Sequence, residues 1–271
     1  MTTQQLHAVP PAASLRSRLA WAVSDSLVLS GRATRHLLRN AELMIVSTML
    51  PLAQLIVFRY LFGGAIETGS VNYASYMIAG LIVISVGFNA SNTSVSMAND
   101  LAEGIVDRFR SMPMVSTSLL TGHVVGSLAR HILSMTVIVL GGLAVGFRPQ
   151  AGVREWLAAA GLLLIFATTI SWLSVIFAVL TKSVEGASGL SLVLVFVPYA
   201  SSAFVPTHTM PSVLQGFANN QPFTPLIDAV RGLLLGMPVG NDAWIALAWW
   251  SGLLVVAVPL AGLLFRRRTS A

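Results

Sequence analysis

Residues 156–180 read WLAAAGLLLIFATTISWLSVIFAVL, twenty-five positions without one charged side chain. At a rise of about 1.5 Å per residue, a helix over this stretch is longer than the roughly 30 Å hydrocarbon core of a bilayer. The rest of the chain agrees with that reading. Its mean hydropathy is +0.78, 55% of residues are hydrophobic and 10% are charged, whereas about a quarter of residues are charged in a soluble domain. A water-soluble fold is excluded. With about 20 residues consumed per span, 271 residues leave room for six spans and for no large extramembrane domain.

Working outward, the expected fold is all-α and polytopic, with spans near 43–62, 73–98, 119–147, 156–180, 187–205 and 243–265. Together they form one transmembrane unit over 41–265. Residues 1–40 form a tail in which Leu15, Leu19 and Val23 recur at helical spacing while Arg32, Arg35 and Arg39 make one face basic. That pattern predicts an interfacial amphipathic helix on the membrane surface, or a solvated leader helix. No apolar run comes before about Leu43, so the tail is expected to be retained. Residues 266–271 form a basic cytoplasmic tail. Placing the amino terminus inside puts Arg16, Arg18, Arg32, Arg35, Arg39, Arg108, Arg110, Lys182 and Arg266–Arg268 on the cytoplasmic side. Only Arg148, Arg154 and Arg231 are left outside, the asymmetry expected of a cytoplasmic membrane protein with both termini inside. The same clustering makes the basic residues topology signals facing anionic lipid rather than a nucleic-acid footprint.

Several chemistries are absent. There is no cysteine. Lys182 follows Leu180 and Thr181 without the glycines of a phosphate-binding loop, so this chain holds no nucleotide in that way. The ten carboxylates all fall in tails, loops or span ends, which argues against a proton-driven carrier. The five histidines are scattered without metal-ligand spacing, and no serine sits in a nucleophile elbow. No catalytic, cofactor or metal residue is expected.

Three features could carry function. After the second span, Ile105, Phe109 and Met112 fall on one helical face and Glu103, Asp107 and Arg110 beside it, with Pro113 as a stop. This reads as a short helix that docks on a cytoplasmic partner, or as a plain interfacial turn. In the second span, Ser85, Asn89, Asn92, Ser96 and Asn99 draw a polar stripe, which lines a substrate path or serves helix packing. A weaker run, Thr168, Ser171 and Ser174, lies in the fourth. The long connection 206–241, punctuated by Pro206, Pro211, Pro222 and Pro225, predicts short helices dipping into the outer leaflet. Its Asp228 and Arg231 are spaced to pair with one another as an exposed, weakly stabilising couple. Arg130, just before the apolar heart of the third span, is expected to snorkel to the cytoplasmic surface, or else to serve a substrate or an ion pair.

The run Glu103-Gly104-Ile105-Val106-Asp107-Arg108-Phe109-Arg110-Ser111-Met112-Pro113 resembles the cytoplasmic loop of ABC type-2 exporter permeases, the daunorubicin-resistance group in particular. The run Asn219 to Gly232, through Asn220, Pro222, Pro225, Asp228 and Arg231, resembles the motif before that family's last span, with Gln221 inserted between asparagine and proline. The resemblance implies a six-span permease fold and a coupling helix at 103–113 that contacts an ABC ATPase subunit. It also implies ATP and magnesium bound only by that partner, pairing with a second permease as homo- or heterodimer, and export of an amphipathic drug, polyketide or lipid. The rival readings are a secondary carrier or channel without an ATPase, and a membrane scaffold.

Overall fold

The computed structural model describes residues 41–66, 71–103, 117–181 and 183–270. The expected amphipathic helix of the 1–40 tail and the loop from Gly104 to Pro113 lie outside them. The described residues form helices joined by turns: α1 (Ala41–Val57), α2 (Tyr73–Ala102), α3 (Thr117–Ala144), α4 (Val153–Leu180), α5 (Val184–Phe196), α6 (Ser212–Asn220), α7 (Phe223–Leu235) and α8 (Asp242–Ser270). By length and composition α2, α3, α4 and α8 can cross a membrane. The first and fifth apolar runs are shorter: α1 passes into a π-helical turn at Phe58–Phe62, and α5 into a 3-10 turn at Val197–Ala200. The all-α expectation holds among the described residues, with four helices rather than six long enough to span.

Sequence accounts for the ends of these elements. Asn72 caps α2 by accepting from Ser75 N at 3.0 Å, and Ser183 caps α5 by accepting from Gly186 N at 3.1 Å. α7 stops at Gly236, whose φ of 66° only glycine adopts cheaply, while Met237 N reaches back to Gly232 O at 2.9 Å. The open carbonyls ending α4 are met by Arg268 from the last turn of α8, whose Nη1 donates to Ala178 O and Val179 O at 2.8 Å.

α2 is the spine. Of its most apolar window 89% is buried, against 17% for α8, because α1, α3, α4, α5 and α7 all pack on it. Within a membrane such enclosure rests on close approach rather than on water exclusion, and α2 is rich in small residues: Ala74, Ser75, Ala79, Gly80, Gly87, Ala90 and Ser94 are all buried. Gly87 shows why. Pro198 has no N–H for the Leu194 carbonyl to take, and that carbonyl faces Gly87, where an added Cβ would stand 2.3 Å from it. About two turns away, a Cβ on Gly80 would stand 2.5 Å from Ala203 O.

Side-chain packing sorts the bundle into two poles. At one, Met97, Leu120, Val179, Ala187 and Phe265 form a cluster, so the end of α2, the start of α3, the α4–α5 turn and the end of α8 lie together. At the opposite pole Tyr73, Phe147, Phe204, Phe223 and Trp250 collect the other connections.

Gly87→Val should lower the stability of the detergent-solubilised protein by about 1–3 kcal/mol through overpacking. Gly161→Ala, a helical position with nothing within 4 Å, should raise it by about 0.5–1 kcal/mol. Thermal unfolding followed by circular dichroism measures both, and equal shifts for the two variants would deny the close α2–α5 approach.

Candidate functional site

The polar stripe of α2 divides along its length. Ser85 and Asn89 are buried and turn back on their own helix: Ser85 Oγ donates to Ile82 O at 2.7 Å and Asn89 Nδ2 to Ser85 O at 3.1 Å. Asn92, Ser96 and Asn99, toward the pole that holds the α2–α3 connection, are exposed. Exposed amides and hydroxyls on a membrane-crossing helix need water or another protein surface, since hydrocarbon offers them no partner.

Beside the stripe lies a buried cluster that residue spacing had not singled out. Thr93 Oγ1 stands 2.9 Å from Ser127 Oγ, which is 2.9 Å from His131 Nε2 and 3.1 Å from Ser171 Oγ. His131 Nε2 is 3.2 Å from Ser171 Oγ, and all four residues are fully buried. The cluster thereby ties α2, α3 and α4 together. Arg130 joins it, its Nη2 donating to Thr93 Oγ1 at 2.8 Å. The guanidinium is therefore drawn into the bundle instead of snorkelling to a surface. The signal available in sequence was the i, i+4 pair Ser127–His131 with Ser171 on a neighbouring span, but which helices neighbour one another is a tertiary fact.

Next to the cluster, the facing rows Ile132, Met135 and Leu140 of α3 and Trp156, Leu163 and Leu164 of α4 line an apolar groove of about 400 Å³. That is within the size range of small-molecule sites.

At the opposite pole α7 is locked in place. Arg231 is only 7% exposed. It donates through Nε to Tyr76 O at 2.9 Å, lies 3.7 Å from the centroid of the Tyr76 ring, and bonds Ser202 O and Asp228 Oδ1. Asp228 Oδ1 also accepts from Ser202 Oγ at 2.6 Å. The Asp228–Arg231 couple pairs as its spacing predicts, with the guanidinium buried as an anchor and the carboxylate still partly exposed. Pro225 falls in the first turn of α7, where its missing N–H costs nothing. Pro222 O accepts from Trp250 Nε1 at 3.2 Å. Gln221, out of place in the expected motif, is buried and donates to Ala200 O at 2.7 Å. Asn220 is exposed and bonds only its own helix, at Gly216 O.

Of the residues expected to form a coupling helix, Glu103 alone is described, as the exposed cap of α2 with its N–H on Asn99 O at 2.9 Å. Gly104, Ile105, Asp107, Arg108, Phe109, Arg110, Met112 and Pro113 lie outside the described residues. The two helices that flank the loop are clamped by His123 and Asp100, 2.9 Å apart.

A family model described as ABC-2 type transporter matches residues 26–235. Among curated proteins, the chain is 29% identical over 256 residues to the daunorubicin resistance ABC transporter permease protein DrrB1 of Streptomyces coeruleorubidus, covering 94% of this chain and 90% of that one. It is 24% identical over 265 residues to the probable doxorubicin resistance ABC transporter permease protein DrrC of Mycobacterium tuberculosis, covering 96% and 95%. A putative transport permease, YvfS of Bacillus subtilis, is 24% identical over 186 residues, 67% of this chain and 74% of its own.

Arg231→Met should destabilise the protein by about 1–3 kcal/mol, because it removes a buried donor from the Tyr76 and Ser202 carbonyls. Asn220→Ala should change stability by less than about 0.5 kcal/mol. Melting curves of the purified variants test the contrast; similar melting points would mean that α7 is held by its apolar face alone.

Proposed function

We propose, for a chain that belongs to the ABC-2 type transporter family, a six-span permease that exports an amphipathic drug, polyketide or lipid across the cytoplasmic membrane. The premises are firm: the chain is a multi-pass membrane protein and the non-catalytic permease subunit of an ABC-2 exporter, and ATP hydrolysis belongs to a separate subunit. A carrier or channel without an ATPase, and a bare scaffold, are thereby set aside. The six spans comprise α2, α3, α4 and α8 with the two shorter apolar runs around α1 and α5. ATP and magnesium are held by the partner subunit.

In this reading the helix at 103–113 is the part the ATPase grips, through Ile105, Phe109 and Met112. Glu103, Asp107, Arg108 and Arg110 stand around that face, with Gly104 and Pro113 at its ends. The observation that carries it is the gathering of the end of α2, the start of α3, the α4–α5 turn and the Arg266–Arg268 end at one pole, which supports a single cytoplasmic face there. Force applied between α2 and α3 reaches the polar cluster directly, because Asp100–His123 and Thr93–Ser127 bridge those two helices. Ser85, Asn89, Asn92 and Ser96 then mark the substrate path, and the apolar groove beside it receives the oily body of the substrate. The exposed half of the stripe supports a water-filled seam completed by a second permease, identical or similar. Asn220, Pro222, Pro225, Asp228 and Arg231 hold the outer closure, α6 and α7 dipping into the outer leaflet without crossing it. The drugs named for the relatives, daunorubicin and doxorubicin, are amphipathic, which supports an amphipathic substrate here.

Two experiments test this. Ile105→Asp with Phe109→Asp should abolish co-purification of an ATPase subunit from the native host while leaving the permease in the membrane; undiminished co-purification rejects the coupling assignment. Ser70→Cys and Val184→Cys in this cysteine-free chain should react with an impermeant maleimide from the outside and the inside of the cell respectively, and the reverse pattern rejects the orientation.

A further inference from the structure

Arg130 lies about 20 Å along α3 from Thr117, at the middle of a membrane-crossing helix. It carries five donors that cannot be switched off, of which Nη2 meets Thr93 Oγ1 while Nε is buried without a partner. No carboxylate among the described residues pairs with it: Asp100 holds His123, and Asp228 holds Arg231 at the other pole. A charge in this position is costly unless an opposite charge reaches it.

Among the described residues, hydroxyl, amide and imidazole groups stand near that cation and no anion does. The Thr93 hydroxyl is within hydrogen-bonding distance of Asn89 O at 3.0 Å and Ser127 Oγ at 2.9 Å, and its lone pair accepts from the guanidinium. Two further polar atoms there are buried and unbonded, Asn89 Oδ1 and His131 Nδ1, the latter on a residue with no exposure at all. On α2, Ser96 lies one turn beyond Thr93, and both it and Asn92, which shares its face, are exposed.

We infer that Arg130 is the recognition point for an oxyanion, a carboxylate or phosphate, carried by the amphiphile that uses this path. The inference rests on the substrate-path reading above. A guanidinium fits an oxyanion through paired N–H donors and gains far less from a neutral carbonyl. Thr93 fixes one nitrogen and leaves the others for the ligand. An acidic amphiphile and an anionic phospholipid share this chemistry.

The test is binding to the full chain as purified from its host, nucleotide-free, in phosphatidylcholine nanodiscs. The probes are a dansyl-labelled undecanoic acid and its methyl amide. The acid should bind about tenfold more tightly than the amide. Arg130→Gln should erase that ratio and Arg130→Lys should keep part of it, whereas a merely structural role would weaken both probes alike. No preference in the native protein, or a preference that survives Arg130→Gln, overturns the inference. If Arg130→Gln does not fold, Arg130→Lys decides, an unchanged ratio counting against the fork. Replacing part of the phosphatidylcholine with phosphatidylglycerol separates the sources: loss of acid binding assigns the site to a phospholipid phosphate, and undiminished binding assigns it to a free acidic amphiphile. No ATP enters the assay, so its outcome is independent of whether the 103–113 loop grips an ATPase.

Discussion

Five helices close around α2, and the rest of the molecule follows from how that enclosure is achieved. In hydrocarbon there is little gain from moving an apolar side chain from lipid to protein, so helices pack tightly only where their backbones can come near. Gly80 and Gly87 provide that nearness against Ala203 and Leu194. The second contact depends on Pro198, which frees a carbonyl in the neighbouring segment. A glycine on one helix and a proline a hundred residues later thus make one feature.

Polar groups inside the bundle obey a second constraint, that each must be bonded or reached by water. Most hydroxyls satisfy it locally, as Ser174 does by returning to Ile170 O. The side chains that do not are the informative ones. Arg231 is surrounded by acceptors and is complete. Arg130 meets a single hydroxyl and is incomplete, so two arginines equally foreign to a membrane serve opposite purposes, one closing a joint and the other waiting for a ligand.

Much of the helical plan was legible from composition and run length alone. Runs such as 156–180 place α4 to within three residues, and the proline-rich stretch 206–241 does hold the short helices α6 and α7. The fifth run illustrates the limit: Pro198 ends the regular helix at Phe196, short of the apolar run, which hydropathy cannot sense. The polar stripe was visible as spacing, but its division into a buried half and an exposed half depends on which helices cover it. The burial of Arg231 was hidden for the same reason. Its i, i+3 partner is a local fact, whereas Tyr76 and Ser202, which enclose it, come from α2 and from the turn after α5.

The two poles are held by unlike forces, and this shapes how a motor could act on the bundle. At the α7 pole a buried guanidinium joins three chain segments through several strong bonds, so movement there must break them together. At the other pole the joints are separate, a partly buried His123–Asp100 pair and the capping of α4 by Arg268, so each can give way without the other. Work done between α2 and α3 therefore spreads first through the weakly held end, past Thr93 and Ser127, before it reaches α7. A substrate charge bonded to Arg130 would sit between the two, positioned to feel the first movement and to await the second.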